Sequence, residues 1–249
     1  MGFTFSHPAL ILPFRYLPKK YYSLSGLVIG SIVPDFEYFI RFDNNSFFGH
    51  TFLGLFWFDL PLAILILLFF HQVVRNLMIA NLPHFLKTRL STINLVNWPA
   101  YFKKNWIIVV FSVLIGCVTH LFWDSFTSSN GYFSIHNPIL LMKTNLLGIE
   151  IFNYKILKHV SSLLGGMVLI YQLLKLPKSE YNNTQRDKHY WIIVSILFCA
   201  FILFQFLQTN NEFSYNDIIK KFISCGLFAL IFTSMYYKTK MYLYQRGRE

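Results

Sequence analysis

Five apolar runs, each close to the roughly 20 residues a helix needs to cross a bilayer, dominate this chain. They are Phe52–Phe70, Trp106–Trp123, Val160–Leu176, Tyr190–Leu207 and Phe222–Tyr237. In hydrocarbon every backbone N–H and C=O must find its partner inside the protein, which restricts spanning runs of this kind to helices. The composition agrees. Of the 249 residues 55% are hydrophobic and 13% charged, with a mean hydropathy of +0.45, whereas a soluble domain carries about 25% charged residues. The expected fold is an all-α, polytopic membrane helical bundle of five to six membrane helices.

The sixth candidate, Leu24–Ile40, is weaker. It is short and carries Pro34, Asp35 and Glu37 near its end, while Ser23 or Ser25 can cap its start. With the stretch His7–Leu17 it forms an expected N-terminal helical hairpin. Either the chain descends, turns at Pro18-Lys19-Lys20 and returns, which brings His7 to the level of Asp35, or His7 is a frayed terminal residue on the other face. The polar, Asn-rich stretch 178–188 divides the chain. Residues 1–176 hold all the candidate ligands, and 177–249 hold two membrane helices and a basic tail. Those two helices contain no ionisable side chain of ligand type and read as packing elements.

The net charge of +11 lies mostly between the runs. With the C-terminus inside, the inner segments hold 13 of the 22 basic residues, and 16 if Leu24–Ile40 also crosses. The second threading is preferred. It puts the His50 end of the helices on the extracytoplasmic side. Anionic lipid headgroups are then the natural partner of the charge. No nucleic-acid motif accompanies it, and oligomeric state is left open. Cys117, Cys199 and Cys225 sit inside apolar runs and suggest neither a disulfide framework nor a thiolate metal site. No Lys or Arg precedes the short stretch Ala9–Phe14, so a cleavable leader is not expected, and the opening Met1-Gly2 fits a myristoylation pattern only loosely.

Ionisable residues at the edge of hydrocarbon are costly to place and point to function. The threading brings several to one side. His50 precedes the first strong run, His120 and Asp124 close the second, His159 opens the third, and Asp35 ends the weak one. Imidazole and carboxylate together suit zinc or a similar divalent metal. His120 and Asp124, four apart, share a helix face. Asp35 and Glu37, two apart, do not, so Asp35 is the inward choice and Glu37 a supporting or surface group. His136 is an additional candidate ligand. Asp59, two residues before Pro61, can satisfy a helix break or pair with a neighbour. Lys143, Lys155 and Lys158 can meet a phosphate or headgroups. If residues 84–104 formed one amphipathic helix, they would read as a basic lipid-surface element.

The stretches Phe3-Thr4-Phe5-Ser6-His7-Pro8, Gly30 through Phe39, Gly49-His50-Thr51, His120 through Thr127 and Lys158 through Ser162 resemble a bacterial membrane family catalogued as a domain of unknown function. More distantly, the order His, Asp, His, His-x-x-x-Asp, His is similar to the membrane-bound metal-dependent hydrolases and the helical zinc-dependent phospholipase C group. That resemblance implies His7, Asp35, His50, His120, Asp124 and His159 as metal ligands or site residues. Asp35 is expected as a ligand or the general base, and Asp35 and Glu37 are the candidate catalytic carboxylates. The soluble enzymes carry a further His-x-x-x-Glu pair. Here Leu163 stands four positions after His159, which favours one or two metals over three. The expected activity is hydrolysis of a phosphoester or ester, including a lipid-derived one. The alternative is a non-catalytic scaffold or transport-like protein whose polar cluster is structural.

Overall fold

A computed structural model describes residues 3–41, 47–92, 97–179, 187–208 and 215–246. Gly2, most of the Asn-rich stretch and Arg248 lie outside the described residues. Among the described residues the chain is helical apart from one small hairpin and short turns. Five helices are long and apolar enough to cross a membrane. We number the helices α1 (Leu24–Gly30), α2 (Phe36–Arg41), α3 (Leu55–Asn81), α4 (His84–Leu90), α5 (Trp98–Thr127), α6 (Tyr132–His136), α7 (Pro138–Leu141), α8 (Asn153–Lys175), α9 (Lys188–Gln208) and α10 (Tyr215–Arg246). The five long ones are α3, α5, α8, α9 and α10. On α8, Leu163, Met167 and Ile170 are more than half exposed, an apolar surface that suits lipid and not water.

The chain forms two compact units. The first comprises 1–37, 46–65 and 102–175, and the second 38–45, 66–101 and 176–249. In the second, Tyr190, Val194 and Ala229 form the buried centre of the α9–α10 pair. Polar ties hold it: Tyr190 Oη lies 3.0 Å from Ser234 Oγ, and the Trp191 indole donates to the Asn81 carbonyl. Residues 84–104 are not one exposed basic helix. α4 ends at Leu90 with Lys87 and Arg89 buried, and α5 begins at Trp98; 93–96 lie outside the described residues.

The first unit carries the expected N-terminal hairpin, with a different backbone. Its outward limb is a 13-residue 3-10 helix, Thr4–Tyr16, containing Pro8 and Pro13. At about 2.0 Å per residue this rod reaches roughly 26 Å, further than an α-helix of the same length. It runs along α8: Phe3 N–H donates to Ser162 Oγ near one end, and Arg15 pairs with Gln172 near the other. Lys19 and Lys20 therefore turn at the Lys175 end of α8, opposite His7.

The returning limb is broken, so Leu24–Ile40 is not a sixth continuous spanning helix. α1 has seven residues, a 3-10 turn covers Val33–Asp35 where Pro34 interrupts the ladder, and α2 has six. Ser23 caps α1, accepting from Gly26 N–H. α1 lies against α5 at glycine contacts. A Cβ on Gly30 would stand 2.2 Å from the Val113 carbonyl oxygen, and one on Gly116 would stand 2.5 Å from that of Leu27. Only glycine permits this approach.

α3 opens with a wide π turn, Leu55–Asp59. Pro61 has no N–H for the carbonyl four residues back, and the helix accommodates it there without ending. Between α7 and α8 the sequence reading found no strand. The structure has an antiparallel pair, Lys143–Leu146 with Ile149–Phe152. Its tight turn places Leu147 and Gly148 at positive φ, the twist that favours a two-residue hairpin.

Candidate metal centre

His120 and Asp124 occupy successive turns near the end of α5, on the face that meets α1. The close α1–α5 contact places the carbonyl of Ser31, the C-cap of α1, 2.8 Å from His120 Nδ1. A carbonyl only accepts, so Nδ1 carries the proton and Nε2 of the neutral ring presents its lone pair. That nitrogen is buried and has no hydrogen-bond partner. It points towards three further ligand atoms.

Asp35 is delivered by the 3-10 turn that follows α1. Thr4 Oγ1 donates to its Oδ2 over 2.6 Å, leaving Oδ1 buried and without a hydrogen bond. His50 enters from the segment before α3, and Glu37 fixes that segment. The Glu37 carboxylate is buried and accepts the backbone N–H groups of Phe47, Phe48 and Gly49 at 2.8–2.9 Å. Glu37 therefore faces neither the ligand cluster nor solvent. It braces the backbone that presents His50, the supporting role in place of the catalytic or surface one.

Asp35, His50, His120 and Asp124 each contribute one ligand atom to a group whose members all lie within 4.8 Å of one another. His50 Nε2 is 3.4 Å from Asp35 Oδ1 and 3.5 Å from Asp124 Oδ2; His120 Nε2 is 3.7 Å and 3.6 Å from the same atoms. These spacings exceed good hydrogen bonds. Four ligand atoms about 2.0–2.1 Å from one tetrahedral ion lie roughly 3.3–3.4 Å apart, and the observed edges approach that figure. Buried lone pairs converging without partners are costly, and a cation between them removes the cost. The residues fit a divalent metal.

Electrostatics without a cation agree. Burial disfavours a charged His50 ring, yet the Asp124 and Asp35 carboxylates outweigh it and raise the pKa to about 9. The ring then serves as the positive charge between two acids.

His7 adjoins the four. Its ring stacks on His120 with centroids 4.0 Å apart, and Nε2 is 3.8 Å from Asp124 Oδ1. Its Nδ1 is buried and unpaired. Asp59 is also fully buried with neither carboxylate oxygen hydrogen-bonded. Its Oδ1 stands 3.3 Å from where a Gly49 Cβ would be, directly behind the His50 segment.

Two predicted ligands are not brought in. His159 is exposed on α8 and outside the cluster. The α8 residues facing His7 and Asp124 are Lys158, Ser161, Ser162 and Gly165. They define one helical face, and at about 100° per residue His159 falls off it. His136 is exposed, with Nδ1 2.8 Å from the Tyr132 carbonyl. Among the lysines, Lys143 pairs with Glu150 and Lys155 lies over the Phe152 ring, whereas Lys158 lines the cavity beside His7. Sequence reasoning missed Thr4 and Ser31. Thr4 stood within the quoted Phe3–Pro8 stretch, a signal that was available. Ser31 acts through its carbonyl, which no side-chain type announces.

The chain belongs to the family described as a domain of unknown function (DUF4184), whose model matches residues 1–237. No curated protein and no solved structure matches it.

Proposed function

We propose that this DUF4184 protein is an integral-membrane, metal-dependent hydrolase of a phosphoester or ester, with zinc as the metal and the site facing the extracytoplasmic side of a bacterial inner membrane. The observation that carries the reading is the convergence of His50, His120, Asp35 and Asp124, with His120 Nε2 and Asp35 Oδ1 buried and without hydrogen-bond partners, beside a cavity that reaches Asp124 and His7. A bound divalent ion supplies Lewis acidity, polarising a phosphoryl or carbonyl oxygen and acidifying water. The protein's own part is positional. Ser31 and Thr4 orient His120 and Asp35, and Glu37 holds the His50 segment. His7, at the boundary between cluster and cavity, is placed to accept or return a proton.

The sidedness rests on charge. The hairpin carries Arg15, Lys19 and Lys20 to the Lys175 end of α8, away from the site, and basic segments stay cytoplasmic. The test is hydrolysis by purified protein in lipid nanodiscs, using chromogenic phosphomonoesters, phosphodiesters and carboxylic esters with zinc present or chelated. Metal-dependent turnover that is absent in the His120→Ala, Asp124→Ala double variant supports the reading.

One observation favours the non-catalytic alternative: four protein ligands already complete a tetrahedron, as in structural sites. Stoichiometric metal with no turnover on any ester class would establish that reading instead.

A further inference from the structure

Beside the metal centre a cavity of about 290 Å³ lies between the N-terminal 3-10 helix and α8. Its two ends differ in chemistry. At one end stand His7, Asp124 and Lys158; at the other, Leu10, Leu164 and Val168. The 3-10 helix and α8 run in the same direction here, since Phe3 meets Ser162 and Arg15 meets Gln172. The polar-to-apolar gradient therefore follows both. From Lys158 to Val168 is ten residues, about 15 Å of helix, or roughly half the hydrocarbon thickness of a bilayer. Leu164 and Val168 are 56% and 42% exposed, so the apolar end is open along a membrane-length helix.

Lys158 is the cationic side chain among the lining residues. The neighbouring serines are occupied in holding the wall: Ser162 accepts the Phe3 N–H, and Ser161 accepts the Trp123 indole N–H. A lysine beside a cation-binding cluster makes that end of the cavity suited to an anion, and the opposite end excludes one.

We propose that this cavity binds a single-chain amphiphile with a phosphoryl head, the head between the metal centre and Lys158 and the alkyl chain along Leu10, Leu164 and Val168, entering sideways from the bilayer. Lys158 is then a specificity-determining residue and α8 the chain-binding wall. This deepens the hydrolase reading by naming its substrate class and rests on it for the metal. A phosphoryl head suits a divalent cation and a lysine together, and the volume sits at the low end of small-ligand pockets, which fits one chain.

The test uses full-length protein in phosphatidylcholine nanodiscs, loaded with zinc, with empty nanodiscs as reference. Binding of dodecyl phosphate, dodecanol and inorganic phosphate is measured by thermophoresis. Dodecyl phosphate is expected to bind at least about ten-fold tighter than either of the others, and Lys158→Ala to weaken it by about ten-fold, the loss of one charge-assisted contact. Val168→Phe narrows the apolar end and is expected to weaken dodecyl phosphate while leaving inorganic phosphate unchanged. Gly166→Phe, at an α8 position that does not line this cavity and where a side chain meets nothing within 4 Å, is expected to change neither. Equal affinity for inorganic and dodecyl phosphate, or dodecyl phosphate binding indifferent to both Lys158→Ala and Val168→Phe, overturns the proposal. Metal content measured on the same samples separates the two readings: chain-dependent, Lys158-dependent binding in protein without metal would uphold the amphiphile site and remove the metal.

Discussion

His120 Nδ1 donates to the backbone carbonyl of Ser31 over 2.8 Å, joining residues 89 apart in sequence. This bond couples the helix crossing to the candidate metal centre. It exists because α1 and α5 approach at Gly30 and Gly116. A metal-ligating histidine is usually oriented through its second nitrogen, and loss of such a partner costs about 10–100-fold in metal affinity.

Gly116→Val is therefore expected to destabilise the fold by roughly 1–3 kcal/mol through overpacking and, in the fraction that folds, to lower metal affinity by about 10-fold or more. Competitive chelator titration of the folded fraction checks it. Unchanged affinity would mean that the Ser31 contact does not orient His120.

Glu37 acts through the backbone. Glu37→Ala leaves three N–H groups without their acceptor and is expected to cost roughly 2–4 kcal/mol, read as a lowered melting temperature, with metal still binding one-to-one at reduced affinity. Full stability with abolished turnover would restore the catalytic assignment.

Much of this arrangement was legible in the sequence. His50, His120, Asp35 and Asp124 announced themselves because hydrocarbon edges tolerate few ionisable groups, and the four-residue spacing of His120 and Asp124 fixed their common face. His159 shared the same signals, yet helical phase turns it outward while Lys158 and Ser162 face in. Phase at a helix start depends on where the helix begins, and the hairpin Lys143–Phe152 that sets the start of α8 is too short and too ordinary in composition to be read beforehand. The broken return of Leu24–Ile40 was foreshadowed by Pro34. The 3-10 geometry that lets 13 residues reach the far end of α8 was not.

His159→Ala and His136→Ala are accordingly expected to leave metal content unchanged, because both rings are exposed and outside the cluster. Elemental analysis of each purified variant decides it. Loss of metal in either would require a different set of ligands.

If His50 ligates the proposed metal, protons compete with it. Its pKa in the metal-free fold is about 9 against an ordinary value of 6.5. A raised folded value means that the charged ring stabilises the metal-free protein fully below about 6.5, and that this contribution disappears as pH rises through about 9. Ligation needs the neutral ring. Metal affinity should therefore rise with pH across that window while the melting temperature of metal-free protein falls. His50→Gln should flatten both trends. A pH-independent affinity would exclude His50 as a ligand.

Metal content of the purified wild-type protein, beside that of the His120→Ala, Asp124→Ala double variant, tests the central claim most directly. Close to one divalent ion per chain in the wild type and none in the folded double variant is the predicted result. Equal metal in both, or none in wild-type protein supplied with zinc, would contradict it.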